Sequence, residues 1–539
     1  MHYGVFAMLF AISNLVEPYK VLVMSPTIGA SHSNFLGKIA DILVDDGNEV
    51  TFLIPVFMGQ KKNLTGTKKA QKIIRLPQDP RITEIQEKDK FEDDLRKIVW
   101  GSENIDQFAL LSKYANFLKS FGYNCEYLFN QTELIEQFRK EQFDLAITET
   151  IFICNQAFFD HIGIKNVITA ESFLHNDIVK FASGEPALFS FFPDVFSPET
   201  DSMSLFGRIL NYFSYLFYFF FDYSRHSYEM SAIKHLYENG KDYKELINRA
   251  AFHMINSNRF LDYPSATLPK TVFIGGMQVI PNGAANLTKE WDELLSRRDT
   301  NILISFGSMT RSSEMPDEFK NAFLDVFSSM PNITFIWKYE DENSTIAAHL
   351  PNVKLTAWMP QNDLLADDRL TLFITHGGLG STIELAHHGK PAIVVPLTGD
   401  QPRNAHMLTR HGGAIRLDKS QLGDSRAIGA SIATVLNDAR YSANARRLSA
   451  IVANHRPRDV LLEYCSLAVE FGPLETLNSA GAHLNYLQYH SIDLLIVFLA
   501  IFIIFSYVSY RFWKFLICFF IRKCRSKYAP LPIMEKKKE

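Results

Sequence analysis

Two segments in the second half of the chain, a glycine-containing turn and the end of an apolar run, hold the residues best placed to bind a charged ligand. The turn, residues 376–381, follows the apolar run 371–375 and precedes a stretch of helix formers. Backbone amides at such a strand-to-helix turn can bind phosphate. A second apolar run, 391–396, ends just before Asp400 and Gln401. Open α/β sheets bind ligands beyond the carboxyl ends of their strands, so the pattern predicts a site for a phosphate-containing ligand.

The glycine turn also permits two other interpretations. One is the phosphate loop of a nicotinamide-dependent oxidoreductase, for which Gly378 and Gly380 have a suitable spacing. Ile383 stands where the third glycine of that fingerprint belongs, so the match is incomplete and this class is disfavoured. The other interpretation is a structural connection between a strand and a helix, with no ligand.

The glycine turn is part of a longer motif. The motif starts with Phe-Ile-Thr-His-Gly-Gly at Phe373 and continues with Ser381, Glu384, Pro391, Pro396, Asp400 and Gln401. Residues 358–365 and 305–308 carry two related stretches upstream. Together they resemble the signature of the UDP-glycosyltransferases, including the animal UDP-glucuronosyltransferases. The resemblance covers nearly the whole chain and is weakest between residues 64 and 127.

The resemblance implies a UDP-sugar as donor and co-substrate, and it implies no cofactor. The donor contacts that it implies are Ser308, Trp358, Gln361, His376, Gly377, Gly378, Ser381, Glu384, Asp400 and Gln401. Trp358 would stack on uracil, Gln361 would bind uracil by hydrogen bonds, and Glu384 would bind the ribose hydroxyls. Asp400 and Gln401 would bind the sugar hydroxyls. The remaining residues would contact the diphosphate.

The resemblance places the catalytic base in the first half of the chain. His32 lies in a predicted loop after the strand 20–24, at a position like that of the family's catalytic histidine. A neutral imidazole, with an ordinary pKa of about 6.5, can accept a proton at working pH. Glu149 follows the predicted strand 142–148, where the family usually has an aspartate, and would orient His32. Its extra methylene changes the reach of the carboxylate. A surface position without a catalytic role is the alternative for both residues.

The implied reaction is transfer of a sugar to a small lipophilic acceptor, with inversion at the anomeric carbon. No Asp-x-Asp pair occurs in the sequence, so we expect no metal site at the diphosphate. The rival is an inert membrane-anchored protein that binds a UDP-sugar or a lipophile, because Glu149 and Gly380 both depart from the family pattern. Arg259 is the one candidate partner for the carboxylate of a glucuronate donor, and it could equally be a surface residue. Glucuronate and glucose therefore both stay open as donors.

Composition and periodicity define the expected fold. A chain of 539 residues exceeds a single hydrophobic core. Strands alternate with helices in both halves, which predicts an α/β protein with parallel sheets. The resemblance then implies the GT-B type, with two facing Rossmann-like domains and the site in the cleft. We expect an acceptor-binding domain at 17–280, a UDP-sugar-binding domain at 281–472 and a stalk at 473–493, with a helix near 460–471 crossing back onto the first domain.

Both ends of the chain carry signals of the secretory pathway. Residues 1–16 have a short apolar core, which predicts a signal peptide, although a first strand is the alternative. Residues 494–510 are uncharged and mostly apolar, which predicts a transmembrane helix rather than a buried core helix. The basic residues within 511–539 predict a cytosolic tail. Lys536 and Lys537 resemble a dilysine retrieval signal, so we expect a type I protein of the endoplasmic reticulum membrane.

Three further features bear on partners. The net charge of −4, without a basic cluster in the globular part, argues against nucleic acid. The Phe-rich stretch 205–221 predicts either a core helix or a surface at the membrane interface. Cys125, Cys154 and Cys465 have spacings unlike a metal site, and they define no disulfide framework. The sequence is compatible with a homo-oligomer and does not define the oligomeric state.

Overall fold

A computed structural model describes residues 18–90, 94, 98–101, 107–280 and 286–527 of the chain. The predicted signal peptide, the first residues of the predicted UDP-sugar-binding domain at 281–285 and the dilysine motif lie outside these residues. The chain divides into two compact units at the bond between Ala482 and His483. Each unit is described by itself.

The first unit contains two sheets in which every described strand pair is parallel. The described strands are β1 (Lys20–Met24), β2 (Glu49–Pro55), β3 (Lys72–Leu76), β4 (Leu145–Thr148), β5 (Val167–Glu171), β6 (Phe252–Ile255), β7 (Thr271–Phe273), β8 (Thr300–Ser305), β9 (Ile333–Lys338), β10 (Val353–Thr356), β11 (Leu370–Thr375), β12 (Ala392–Val394) and β13 (Ala414–Arg416). Their order is β3-β2-β1-β4-β5-β6-β7 in one sheet and β10-β9-β8-β11-β12-β13 in the other. The sequence prediction of parallel sheets is confirmed.

Helices lie in most of the connections between consecutive strands, as is usual for parallel pairing. The described α-helices are α1 (Ala30–Asp45), α2 (Pro80–Asp89), α3 (Gln107–Phe129), α4 (Thr132–Glu141), α5 (Ile153–His161), α6 (Asp177–Ser183), α7 (Leu205–Ile233), α8 (Tyr243–Asn248), α9 (Lys289–Leu295), α10 (Asp317–Ser329), α11 (Gln361–Ala366), α12 (Leu379–His388), α13 (Gln401–Thr409), α14 (Ser425–Asn437), α15 (Ala439–Val452), α16 (Pro457–Phe471), α17 (Tyr486–Tyr489) and α18 (Ile492–Lys527). Helix α16 packs on the first sheet, where Leu461, Cys465 and Ala468 join the core formed by β1 and β4. The helix expected to cross back therefore does so.

In each sheet, strands are first added on one side of a central strand, and later strands in the sequence are added on its other side. In the first sheet β1 lies between β2 and β4, and in the second β8 lies between β9 and β11. The loops that follow β1 and β4 leave the sheet in opposite directions, as do those after β8 and β11. Such reversals open a crevice at the carboxyl ends of the strands.

A buried ion pair joins the two halves of the first unit. Arg403 on α13 lies 2.8 Å from the Asp262 carboxylate of the first half, and its side chain is 1% exposed. Its Nε also donates to the carbonyl oxygen of Pro193, at 3.0 Å. Because the guanidinium is buried, it needs both acceptors. Helix α13 is therefore attached to the first half.

A disulfide bond joins Cys125 on α3 to Cys154 in the first turn of α5. The sequence alone did not predict it, because 29 residues separate the two cysteines and no motif relates them. Cys465 is free and buried in α16, while Cys518 and Cys524 are free and exposed.

The second unit contains α17 and α18. Residues Ile492–Cys524 of α18 are long and apolar enough to cross a membrane, and none of the most apolar window is buried. The helix continues beyond the predicted span 494–510, because the basic residues that follow are also good helix formers.

We expect Arg403→Leu to destabilise the protein by about 3 kcal/mol, because it leaves the largely buried Asp262 carboxylate without its partner. Thermal unfolding of the full chain in detergent measures this as a lower unfolding midpoint. Arg426→Leu is the matched control, because the Arg426 side chain is 96% exposed. A midpoint for Arg403→Leu equal to those of the control and the wild type would contradict the prediction.

Candidate active site

The structure brings His32 and Glu149 into contact, from the segments that follow β1 and β4 of the first sheet. Nδ1 of His32 lies 2.8 Å from Oε2 of Glu149. A carboxylate accepts a hydrogen bond from a protonated Nδ1, and in the neutral ring this leaves the free lone pair on Nε2. Glu149 is 2% exposed, whereas the His32 side chain is 21% exposed. The geometry gives one ring nitrogen to a buried carboxylate and keeps the imidazole open to solvent.

His32 does not lie in a loop, as the sequence predicts, but in the first turn of α1. The helix begins at Ala30, with Gly29 in an extended conformation before it. Glycine, serine and histidine favour a loop by propensity, but burial of Ser33 and Phe35 extends the helix. The ring of His32 is therefore held on a rigid element.

A second layer of polar groups positions Glu149. Ser172, which follows β5, donates its backbone N–H to Oε1 of Glu149 at 2.7 Å, and its Oγ lies 2.9 Å from Nδ1 of His32. Glu171 is fully buried beside them and accepts the Thr150 amide. Burial and the neighbouring Glu149 charge raise the pKa of Glu171 to about 8. The sequence did not predict Glu171 or Ser172, although their position at the end of a buried strand next to β4 is a usable signal.

In the second half, the turns after β8 and β11 enclose the ring of His376. A Cβ added to Gly307 would lie 2.6 Å from Nε2 of His376, and one added to Gly378 would lie 2.7 Å from it. Gly307 and Gly377 also have φ values of +90° and +82°, which other residues rarely adopt. Burial, followed by the charge of Lys338, lowers the pKa of His376 to about 4. The ring is therefore neutral at pH 7, and it lies where the sequence places the diphosphate.

Lys338 is a further cation at this point that the sequence did not predict. It ends β9, is 7% exposed, and its Nζ donates to the carbonyl oxygen of Gly307. Its ammonium also lies 5.7 Å from the centre of the Trp358 ring. Burial lowers the pKa of Lys338, while Glu340 raises it. A lysine at the carboxyl end of a buried strand is the signal that could have identified it.

Three of the predicted donor contacts touch one another directly. Nε2 of Gln361, in the first turn of α11, lies 3.0 Å from Oγ of Ser381 and 2.6 Å from Oε2 of Glu384. Both partners lie on α12, which follows the glycine turn. Burial raises the pKa of Glu384 to about 7, against the hydrogen bond from Gln361. The Trp358 side chain, 73% exposed, is available to a ligand beside them.

Asp400 and Gln401 lie at the start of α13. Oδ2 of Asp400 accepts from Nδ2 of Asn404 at 2.7 Å, and the same amide reaches the carbonyl oxygen of Gly377 at 3.0 Å. Burial raises the pKa of Asp400, whereas Asn404, Arg403 and, across the cleft, His32 act to lower it. Gln401 accepts the amides of the loop before it through its side-chain oxygen. His32 is therefore close enough to Asp400 for the two groups to interact electrostatically.

Three further positions bear on the donor contacts that the sequence predicts. Ser308 is exposed at the tip of its turn. A Cβ on Gly380 would meet nothing within 4 Å, so an asparagine there would have room. Arg259 lies 5.6 Å from the centre of the Phe273 ring, at a cavity of about 260 Å³ whose described lining does not include Asp400. Arg403, which lies on the same helix as Gln401, lines this cavity too.

Comparison with known proteins identifies relatives along most of the chain. A family model described as UDP-glucoronosyl and UDP-glucosyl transferase matches residues 19–527. The chain is 29% identical over 418 residues to UDP-glucuronosyltransferase 2B14 of Oryctolagus cuniculus, which covers 75% of this chain and 77% of the relative. It is 27% identical over 460 residues to UDP-glucuronosyltransferase 3A2 of Homo sapiens, with 82% of each chain covered.

Solved structures support the GT-B fold. The glycotransferase of kitacinnamycin superposes with a TM-score of 0.56 at 16% identity, covering 83% of this chain and 99% of that one. A UDP-glucosyltransferase from Polygonum tinctorium gives a TM-score of 0.56 at 15% identity, with 84% and 99% covered. The two parallel sheets agree with the family match over residues 19–527, which covers most of the sequence. This match shows that the chain belongs to the UDP-glucuronosyl and UDP-glucosyl transferase family of glycosyltransferases.

Proposed function

We propose that this protein transfers a hexose from UDP to a hydroxyl group of a small lipophilic acceptor, with inversion at the anomeric carbon. The observation that carries the proposal is the contact between His32 and Glu149, because it leaves Nε2 of the imidazole free to accept a proton. The extra methylene of Glu149 does not prevent the contact. An inert binding protein would have no need of this pair.

The proposed reaction is a single displacement. Nε2 of His32 takes the proton of the acceptor hydroxyl while that oxygen attacks the anomeric carbon from the face opposite UDP. The bond between the anomeric carbon and the diphosphate oxygen breaks, and its electron pair leaves with UDP. Glu149 then faces an imidazolium, which its charge stabilises. The proton leaves His32 when the product departs.

The departing diphosphate gains negative charge, and the second half supplies groups to stabilise it. Lys338 would supply a positive charge, and the glycine-turn amides would supply hydrogen bonds. His376, neutral at pH 7, would act as a hydrogen-bond donor. The lack of an Asp-x-Asp pair in the sequence supports a reaction that needs neither a metal nor a cofactor.

Two donor sugars, glucuronate and glucose, are the candidates for the transferred group. The named relatives are glucuronosyltransferases, which favours glucuronate. A neutral sugar such as glucose stays the alternative, because the described contact of Arg259 is with the Phe273 ring and not with Asp400 or Gln401. Turnover measured with UDP-glucuronate and UDP-glucose under the same conditions identifies the donor.

We also propose that α18 anchors the protein in the membrane of the endoplasmic reticulum, with the globular unit in the lumen. The support is the length and apolar character of α18 and the basic residues that follow it in the sequence.

We expect His32→Ala to lower sugar transfer by roughly 10² to 10⁴ and to leave UDP binding nearly unchanged, because the base contacts only the acceptor. UDP release and product mass measure transfer with a phenol acceptor, and calorimetry measures UDP binding. Glu149→Gln keeps the hydrogen bond but removes the charge, so its effect should be no larger. Near-normal turnover of His32→Ala would refute the assignment of the base. Absence of turnover in the wild type across a panel of donors and acceptors would favour the inert binding protein.

We expect Lys338→Met to lower kcat/KM by about 10²-fold, because it removes the positive charge that would stabilise the departing diphosphate. Lys354→Met is the matched control, since that lysine pairs with Glu290 in an exposed position. Initial rates at several UDP-sugar concentrations separate kcat from KM. Equal kcat/KM values for the two variants would remove Lys338 from the site.

We expect Trp358→Ala to weaken UDP binding by about 1–3 kcal/mol, the range measured for loss of an aromatic ring that stacks on a base. Trp358→Phe should recover part of the loss, because it keeps a ring face. Calorimetry with UDP measures both variants. If the alanine variant binds UDP as the wild type does, uracil does not stack on Trp358.

A further inference from the structure

We propose that Trp100, a residue of the first half, is a positioning residue for the diphosphate of UDP, because its indole holds both ends of the turn that follows β8. This turn, residues 306–311, is named the diphosphate turn, and residues 98–101 are named the bridging segment. The inference rests on the proposed function, since it takes the diphosphate turn as part of the donor site. Trp100 lies in the part of the chain where the family resemblance is weakest, and no motif singled it out.

The side chain of Trp100 crosses from the first half into the hydrophobic core of the second. It is 2% exposed. It belongs to a cluster of apolar residues whose other buried members, among the residues that the structure describes, lie within 302–435. Its ring centre lies 5.6 Å from that of Phe306, at an interplanar angle of 72°, and 6.4 Å from that of Phe319. The indole is therefore packed as a core residue of the half to which it does not belong.

Trp100 contacts the diphosphate turn at its two ends. At the start of the turn, the indole packs edge-on against Phe306, the residue before Gly307. At the end of the turn, Nε1 of the indole donates to the carbonyl oxygen of Arg311 at 3.0 Å. A buried indole N–H needs an acceptor, which fixes the ring against this carbonyl group. Ser308, a predicted diphosphate contact, is exposed between these two contacts.

The bridging segment is attached to both halves of the globular unit. On the side of the second half, Nζ of Lys419 donates to the carbonyl oxygen of Val99 at 2.6 Å. On the side of the first half, Asp94 precedes the segment and pairs with Lys113 on α3. The position of the diphosphate turn is therefore linked to α3, although no residue of the bridging segment belongs to the predicted donor contacts.

Two roles of the indole predict different effects on ligand binding. If Trp100 only fills the core, its loss lowers the free energy of unfolding and leaves ligand affinity unchanged. If it positions the amides of the diphosphate turn, its loss weakens only ligands that reach the turn, because a hydrogen bond weakens steeply away from its optimal geometry. UDP reaches the turn, whereas uridine lacks the diphosphate. The ratio of the UDP affinity to the uridine affinity separates the two roles.

The experiment measures both affinities for the full chain in detergent by calorimetry, with uridine measured in competition against UDP. We expect Trp100→Ala to weaken UDP binding roughly tenfold, the equivalent of about one net hydrogen bond, and to leave uridine binding unchanged. Trp100→Phe keeps a ring but loses the N–H donor, so it should weaken UDP binding by about threefold. Trp358→Ala is the comparison, because it should weaken both ligands.

Two further variants make the result specific. Trp291→Phe is the matched control, since Trp291 is a buried tryptophan in a different core cluster, and its affinity ratio should equal that of the wild type. Lys419→Met removes the hydrogen bond to Val99 from the opposite half. It should lower the ratio by about twofold, without any change in the indole itself.

A wild-type ratio in Trp100→Ala would reduce the indole to core packing, whatever the unfolding midpoint of the variant. Equal weakening of UDP and uridine would place the effect at uracil and would also overturn the inference. If Trp100→Ala does not fold, Trp100→Phe and Lys419→Met decide, and a wild-type ratio in both refutes the positioning role. A wild type that binds UDP no more tightly than uridine would instead refute the diphosphate site of the proposed function, and the inference with it.

Discussion

In both sheets the chain leaves from a central strand toward one edge and later returns to pair on the other side of that strand. Everything in the active site depends on this reversal. It separates the loops after β1 and β4 and those after β8 and β11, and it therefore leaves the carboxyl ends of these strands uncovered. His32, in the first turn of α1, and Glu149 follow the first pair of strands, and Gly307 and His376 follow the second. Parallel pairing thus places one group of site residues at the carboxyl ends of the central strands in each sheet.

The acidic groups near His32 are arranged so that charge is concentrated on one of them. Glu149 and Glu171 are both buried and close enough for their charges to interact. Because the pKa of Glu171 is raised to about 8, this residue is neutral at pH 7 and adds no second negative charge to the cluster. Ser172 and Thr150 supply backbone donors to the two carboxyl groups. The imidazole therefore faces one well-positioned carboxylate.

Much of the fold could be read from the sequence, since the strands of a parallel sheet are short apolar runs with clear ends. β1 has the predicted bounds 20–24, and the apolar run 371–375 lies within β11, Leu370–Thr375. The donor half was predicted with comparable detail, because its residues belong to a motif of fixed spacing. Gln361, Ser381 and Glu384 do lie together. Nothing in one sequence shows which chain segments pack side by side, so contacts between distant segments were not predicted.

Lys338 and Ser172 illustrate this limit. Each stands at or just after a strand end with no motif around it, and each becomes recognisable only when the neighbouring strand is known. The pairing of Arg403 with Asp262 has the same origin, because 141 positions separate the two residues. The start of α1 was missed for another reason. Local propensity favoured a loop, and packing of the helix on the sheet outweighed it.

The disulfide between Cys125 and Cys154 has a consequence for where the protein can mature. Cys154 lies five residues after Glu149, in the helix turn that ends the same loop. The cross-link to α3 therefore restrains the backbone that aims the carboxylate at His32. Such bonds form and persist in oxidising compartments and are rare in the reducing cytosol. The thiol chemistry of the surroundings thus bears on the backbone that holds Glu149 beside His32, at a distance of five residues along the chain.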